Sequence, residues 1–152
     1  MSAVSIKPRV GKPRVILLED SQILSEIMNL CILNWFWDPE VLVFEDGDAA
    51  WQELARSEPD LFITDWLHPG ADGGELLRRL AERQVKFPVM VVSGEMTSIP
   101  DQDKLGIAVS FLPKPFNRQA LWQVLNHLVG PCDWPARLID LPLEQRTFSR
   151  PP

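Results

Sequence analysis

The sequence predicts a doubly wound α/β domain whose parallel sheet is covered on both faces. Three observations carry this expectation. Apolar, β-branched runs at 14–18, 41–44, 61–65, 87–92 and 108–112 read as five buried strands. Segments with helical periodicity separate them, which calls for right-handed crossovers. Finally, the strand ends converge chemically: Glu19 and Asp20, Asp65, Ser93 and Lys114 all fall at one edge of such a sheet.

At 152 residues the chain is the size of one domain and long enough to bury a single core. A hydrophobic content of 45% excludes wholesale disorder. The net charge of −6 argues against a nucleic-acid binder held by phosphate contacts. No apolar run approaches the ~20 residues of a membrane span, and the first residues carry no apolar signal segment. A soluble, cytoplasmic protein is therefore expected. Cys31 and Cys132 lie far apart without metal-ligand spacing. They leave a disulfide open, while reduced thiols are the expectation for a cytosolic chain.

Taken in order, residues 1–13 are a polar, mildly basic arm. Strand 14–18 ends on Glu19-Asp20, and Ser21 offers a helix N-cap. The helix from Gln22 to about Phe36 has two apolar stripes. One is Ile23, Ile27, Leu30 and Cys31; the other is Leu24, Met28, Ile32 and Trp35. Asp38-Pro39 ends it, because the residue before a proline disfavours helical geometry. After strand 41–44, Asp48 is the candidate cap of a short helix carrying Ala50, Trp51 and Leu54, broken at Pro59. Strand 61–65 ends on Asp65 and runs into turn residues Pro69, Gly70 and Gly73. Asp72 and Glu75, three apart, form an Asp version of the capping box ahead of Leu76, Leu77 and Leu80. Strand 87–92 ends on Ser93-Gly94, and strand 108–112 on Pro113-Lys114-Pro115. A last helix over 117–128 is expected to bury Ala120, Leu121, Val124, Leu125 and Leu128.

An acid at the exit of a buried parallel strand lies where open α/β sheets bind ligands. Asp65 is thus the candidate nucleophile, taking a phosphoryl group. That chemistry requires a cation to neutralise charge on the phosphoryl oxygens. Glu19, Asp20 and Asp65 make an oxygen-rich set suited to Mg²⁺ rather than zinc.

From about Arg14 to Val129 the sequence resembles the receiver domain of two-component response regulators. The resemblance rests on Glu19-Asp20, Asp65 with Pro69 four later and Asp72-Gly73 after it, Ser93-Gly94, and Lys114-Pro115-Phe116. It implies a flavodoxin-like sheet in strand order 2-1-3-4-5 and phosphorylation of Asp65 by a histidine kinase or a histidine phosphotransfer protein. Asp20, Asp65 and the Leu67 backbone carbonyl become direct Mg²⁺ ligands, with Glu19 acting mostly through bound water. Lys114 pairs with the acceptor carboxylate and then the phosphoryl group, and Ser93 offers a hydroxyl to a phosphoryl oxygen. The resemblance also implies a cis Lys114–Pro115 peptide and a rotamer switch at Phe111, although an aromatic in a strand serves equally as core. His68 and His127 read as ordinary loop and helix residues.

The chain departs from the family between Ser93 and the fifth strand. Beyond Pro100 there is space for little more than one helical turn, so the fourth helix is shortened and the family's usual dimer face is in doubt. A homodimer would then use another face or the C-terminal tail. That tail, 130–152, is Pro-rich and apolar, with no helix-turn-helix pattern, basic cluster or other output domain recognisable in it. Its apolar groups are expected to dock on this domain or a neighbour, the alternative being a linker.

These features favour a stand-alone phosphoacceptor switch, not an enzyme beyond its own phosphorylation and dephosphorylation, that signals by changing protein partners. A receiver-fold interaction module that works without phosphorylation is the alternative. A phosphohydrolase of the haloacid dehalogenase type is disfavoured, since Leu67 stands where its second Asp belongs. The phosphodonor is expected to dock on the first helix at Leu24, Met28, Ile32 and Trp35, unless the arm or tail covers them.

Overall fold

The computed structural model describes residues 13–35 and 39–129. The Cys132, 1–12 and 130–152 expectations therefore lie outside the described residues, as does the side chain of Trp35. Strands β1 (Arg14–Leu18), β2 (Glu40–Phe44), β3 (Leu61–Asp65), β4 (Val89–Ser93) and β5 (Val109–Pro113) form one parallel sheet in the order β2-β1-β3-β4-β5. The helices are α1 (Gln22–Trp35), α2 (Gly47–Arg56), α3 (Gly73–Glu82) and α4 (Arg118–Val129). This is the flavodoxin-like arrangement expected.

The pleat divides each buried strand between two cores. Val15, Leu17, Ile63, Met90 and Leu112 pack with Met28 and Ile32 of α1 and with Leu121 and Leu125 of α4. Ile16, Leu18, Phe62, Val89 and Val91 pack with Ala50 and Leu54 of α2 and with Leu76 and Leu80 of α3. Both faces being covered explains why the strands read as continuous apolar runs rather than alternating ones.

Helix α1 corrects the expected division of its two stripes. Met28 and Ile32 are buried and Leu24 packs against the core, whereas Ile23 is 73% and Ile27 48% exposed. The two stripes are equally apolar, so their composition does not choose between them, and Cys31 of the first stripe is itself buried in the core. At the entry to the helix the Glu19 carboxylate accepts the Ser21 amide at 3.0 Å, and the Ser21 hydroxyl accepts the Leu24 amide at 3.3 Å. These bonds cap the start of α1.

The cap of α2 also differs from expectation. Asp46, in extended geometry, accepts the amides of Asp48 and Ala49 at 2.8 and 3.1 Å, so the helix starts at Gly47 and Asp48 lies in its first turn. At α3, Asp72 accepts the Glu75 amide at 2.9 Å as expected. The Glu75 carboxylate is instead engaged by Arg78 at 2.5 Å and Arg79 at 3.0 Å. In α4, Leu121, Leu125 and Leu128 are buried, while Ala120 and Val124 sit partly buried at the core's margin.

Between β4 and β5 the expected shortening is severe: one 3-10 turn, Gln102–Lys104, replaces the fourth helix. It leaves a groove of about 380 Å³ beside α3, lined by Trp66, Leu77, Ile99, Pro100 and Leu105 among others. Among the described residues no helix is long and apolar enough to cross a membrane.

Candidate functional site

Glu19 and Asp20 follow the last residue of β1, Asp65 is the last of β3, and Lys114 follows β5. Because the strands are parallel and β1 neighbours β3, these termini meet at one edge of the sheet. Glu19, Asp20 and Asp65 each present a carboxylate oxygen, and those atoms all lie within 4.8 Å of one another. The Lys114 ammonium donates to Glu19 Oε2 and to Asp65 Oδ2, both at 3.1 Å. Asp65 Oδ1 accepts the Trp66 amide at 2.7 Å. Both oxygens of Asp65 are therefore held, one by backbone and one by a cation.

Burial and charge oppose each other here. Burial pushes the Glu19 carboxyl above its usual range, against the lowering pull of its bonds to the Ser21 amide and Lys114, and the nearby Asp65 charge raises it further. Burial pulls Lys114 down, but its hydrogen bonds to Asp65 and Glu19, with their negative charges, outweigh this and leave it raised. A buried acid beside two others invites a cation larger in charge than one ammonium. The donors are all hard oxygens, which fits Mg²⁺. No hydrogen bond among the described residues ends on the carbonyl of Leu67, leaving it open as a further oxygen donor.

The peptide between Lys114 and Pro115 is cis, as the resemblance implied. The Lys114 amide donates to the Ser93 carbonyl at 2.8 Å, which ties the lysine to the tip of β4. Ser93 is buried, and its hydroxyl accepts the Glu95 amide at 3.3 Å. Phe111 lies on β5 opposite Val91, partly buried against the α2–α3 core. Trp66 turns its ring onto the first turn of α3, where a Cβ at Gly74 would come within 3.1 Å of Cζ2.

Two residues that sequence reading passed over support this geometry. The Thr64 hydroxyl, wholly buried, donates to the Asp65 carbonyl at 2.7 Å and lies 3.4 Å from His68 Nε2. His68 is thus in contact with the loop's own framework, not free in solvent. Gly47 donates its amide to the Pro69 carbonyl at 2.8 Å. Neither residue type stands out in sequence, because a threonine in a strand and a glycine before a helix are ordinary there.

The family model described as a response regulator receiver domain matches residues 15–126. The transcriptional regulatory protein TrcR of Mycobacterium tuberculosis is 30% identical over 145 residues, covering 88% of this chain and 55% of its own. FixJ of Bradyrhizobium diazoefficiens is 27% identical over 120 residues, covering 78% of this chain and 57% of its own. The chain therefore spans little more than half the length of these two relatives. Among solved structures, the signal receiver domain of a Vibrio parahaemolyticus protein described as a Luxo repressor superimposes with a TM-score of 0.67 at 25% identity, covering 87% of this chain and all of that one. The receiver domain of the Pseudomonas aeruginosa sensor histidine kinase PA1611, with a magnesium ion in its active-site cleft, gives 0.64 at 21% identity over 80% of this chain and all of its own, a likeness of fold alone. The family match spans most of the chain and the strand order is that of its structural neighbours: this protein belongs to the response regulator receiver domain family of two-component signalling systems.

Proposed function

We propose that Asp65 accepts a phosphoryl group from a histidine kinase or a histidine phosphotransfer protein, and that the protein signals by changing protein partners. The observation that carries this reading is the Lys114 ammonium held at 3.1 Å from both Asp65 and the buried Glu19. A carboxylate oxygen of Asp65 attacks phosphorus, the donor's bond to phosphorus breaks, and an acyl phosphate forms. Lys114 moves its hydrogen bond from the carboxylate to the phosphoryl oxygens, so the charge it serves persists through the transfer. Ser93 then donates its hydroxyl proton to a phosphoryl oxygen, a role compatible with the Glu95 amide that its oxygen accepts.

Asp20, Asp65 and the Leu67 carbonyl are the proposed Mg²⁺ ligands, with Glu19 reaching the ion through water. Bound there, the ion supplies charge neutralisation for the phosphoryl oxygens. Receiver function is assigned to 14–129, with 1–13 and 130–152 outside it, acting in the cytoplasm. Since Met28 and Ile32 are buried, the docking face for the phosphodonor is reassigned to the exposed side of α1 bearing Ile23 and Ile27.

The test is incubation with Mg²⁺ and acetyl phosphate, read by intact mass. A single phosphoryl adduct, cleaved by hydroxylamine as an acyl phosphate is and lost in Asp65→Asn, is expected; no adduct on the wild-type protein counts against the reading. If Asp65→Asn also retained every partner interaction, the phosphorylation-independent interaction module would be preferred.

A further inference from the structure

We infer that Gly47, the first residue of α2, is a positioning residue for the metal-binding half of the site. It rests on the phosphoacceptor reading above, in which the Leu67 carbonyl is a Mg²⁺ ligand. Gly47 belongs to another helix and has no functional group, so its role is spatial. A Cβ at position 47 would stand 1.9 Å from the Ala71 carbonyl oxygen and 2.9 Å from His68 Cε1. The first of these clashes is with backbone, so no change of side-chain rotamer relieves it. Gly47 does not adopt a positive φ, so the requirement for glycine here is one of space and not of dihedral angle.

That close approach sets the course of the loop after β3. The Gly47 amide donates to the Pro69 carbonyl and the Gly73 amide to the Trp66 carbonyl, both at 2.8 Å. These anchors bracket Leu67 and His68. Just beyond them, Gly70 turns with φ +77°, and a Cβ there would meet Asp46 Oδ1 at 2.8 Å. The loop is thus seated against the capped start of α2 and hung from the start of α3, with the Leu67 carbonyl between the two fixings. A side chain at position 47 must push the Pro69–Ala71 backbone outward and carry Leu67 with it. Glu19, Asp20 and Lys114 stand on other strand ends and keep their places. The expected result is a site with its carboxylates intact and one oxygen donor displaced.

The experiment is calorimetric titration of the full chain with MgCl₂, comparing wild type, Gly47→Ala and Leu125→Ala. Leu125 is fully buried in the opposite core, so its truncation controls for lost stability alone. Gly47→Ala is expected to weaken Mg²⁺ binding roughly tenfold or more, the range for disturbed support of a metal ligand. Leu125→Ala should bind as wild type does. Circular dichroism identifies variants that fold; if Gly47→Ala does not, Gly70→Ala carries the same test on the same loop. A folded variant of either glycine with wild-type Mg²⁺ affinity overturns the inference while leaving the phosphoacceptor reading intact. Absence of Mg²⁺ binding by the wild type overturns both.

Discussion

Lys114 Nζ stands 3.1 Å from Asp65 Oδ2 across 49 residues of sequence, and at the same distance from Glu19 Oε2. One ammonium thus joins carboxylates from the ends of two different strands. Removing it leaves a buried acid and the acceptor without their cation. Lys114→Met should therefore lower the stability of the metal-free protein by about 1–3 kcal/mol, and Mg²⁺ should restore part of the loss. Urea unfolding with and without Mg²⁺ measures this; equal stability of variant and wild type in both conditions would refute the coupling.

The exposed stripe of α1 makes a separable prediction. Replacing Ile23 and Ile27 together by Ala should slow phosphotransfer from the cognate histidine kinase while leaving labelling by acetyl phosphate unchanged. Stability should move by no more than about 0.5 kcal/mol per residue, as at other surface sites. Met28→Ala, one position on, should instead cost about 2–5 kcal/mol because it opens a cavity in the core. Thermal unfolding alongside phosphotransfer assays distinguishes the two faces.

Trp66 is attached to the acceptor through its own backbone, its amide donating to Asp65 Oδ1 at 2.7 Å. Binding of Mg²⁺ at Asp65 should therefore quench part of the tryptophan emission, and Trp66→Phe should abolish that change. The ring rests on α3 and lines the groove left by the shortened helix, so phosphorylation should register there as well. A quench undiminished in the variant would place the reporter elsewhere.

Acid should act on α3 through Glu75. Its hydrogen bond to Arg78, then that to Arg79, draws the carboxyl from 4.5 down to about 2. The sign follows from linkage: a group depressed in the folded state contributes stability above its unfolded pKa of 4.5 and loses it as the pH falls through about 2. A carboxyl ¹³C titration of Glu75 should show its midpoint near 2, and Glu75→Gln should flatten acid unfolding in that window. An unshifted midpoint would show that solvent screens these exposed pairs.

Much of the site was legible because its chemistry is carried by residue type at strand ends. Glu19, Asp20, Asp65 and Lys114 occupy the edge the alternating pattern predicted, and the structure brings all four together. Ser93 stands at the neighbouring strand tip, but its hydroxyl bonds to its own loop. Thr64 and Gly47 were not legible, since what they do depends on partners distant in sequence or on a side chain that is missing.

Period and composition alone determined the strands, the alternating helices and the two-sided burial of the sheet. Those properties follow from local preference and from the need to bury apolar runs. Only the tertiary structure decided which stripe of α1 faces the core, that Asp46 and not Asp48 caps α2, and how closely Gly47 meets Ala71. Two equally apolar stripes have the same burial energy to offer, and two acids two residues apart have the same capping chemistry. The choice falls to the tertiary geometry, which exists only once the sheet edge has assembled around Asp65.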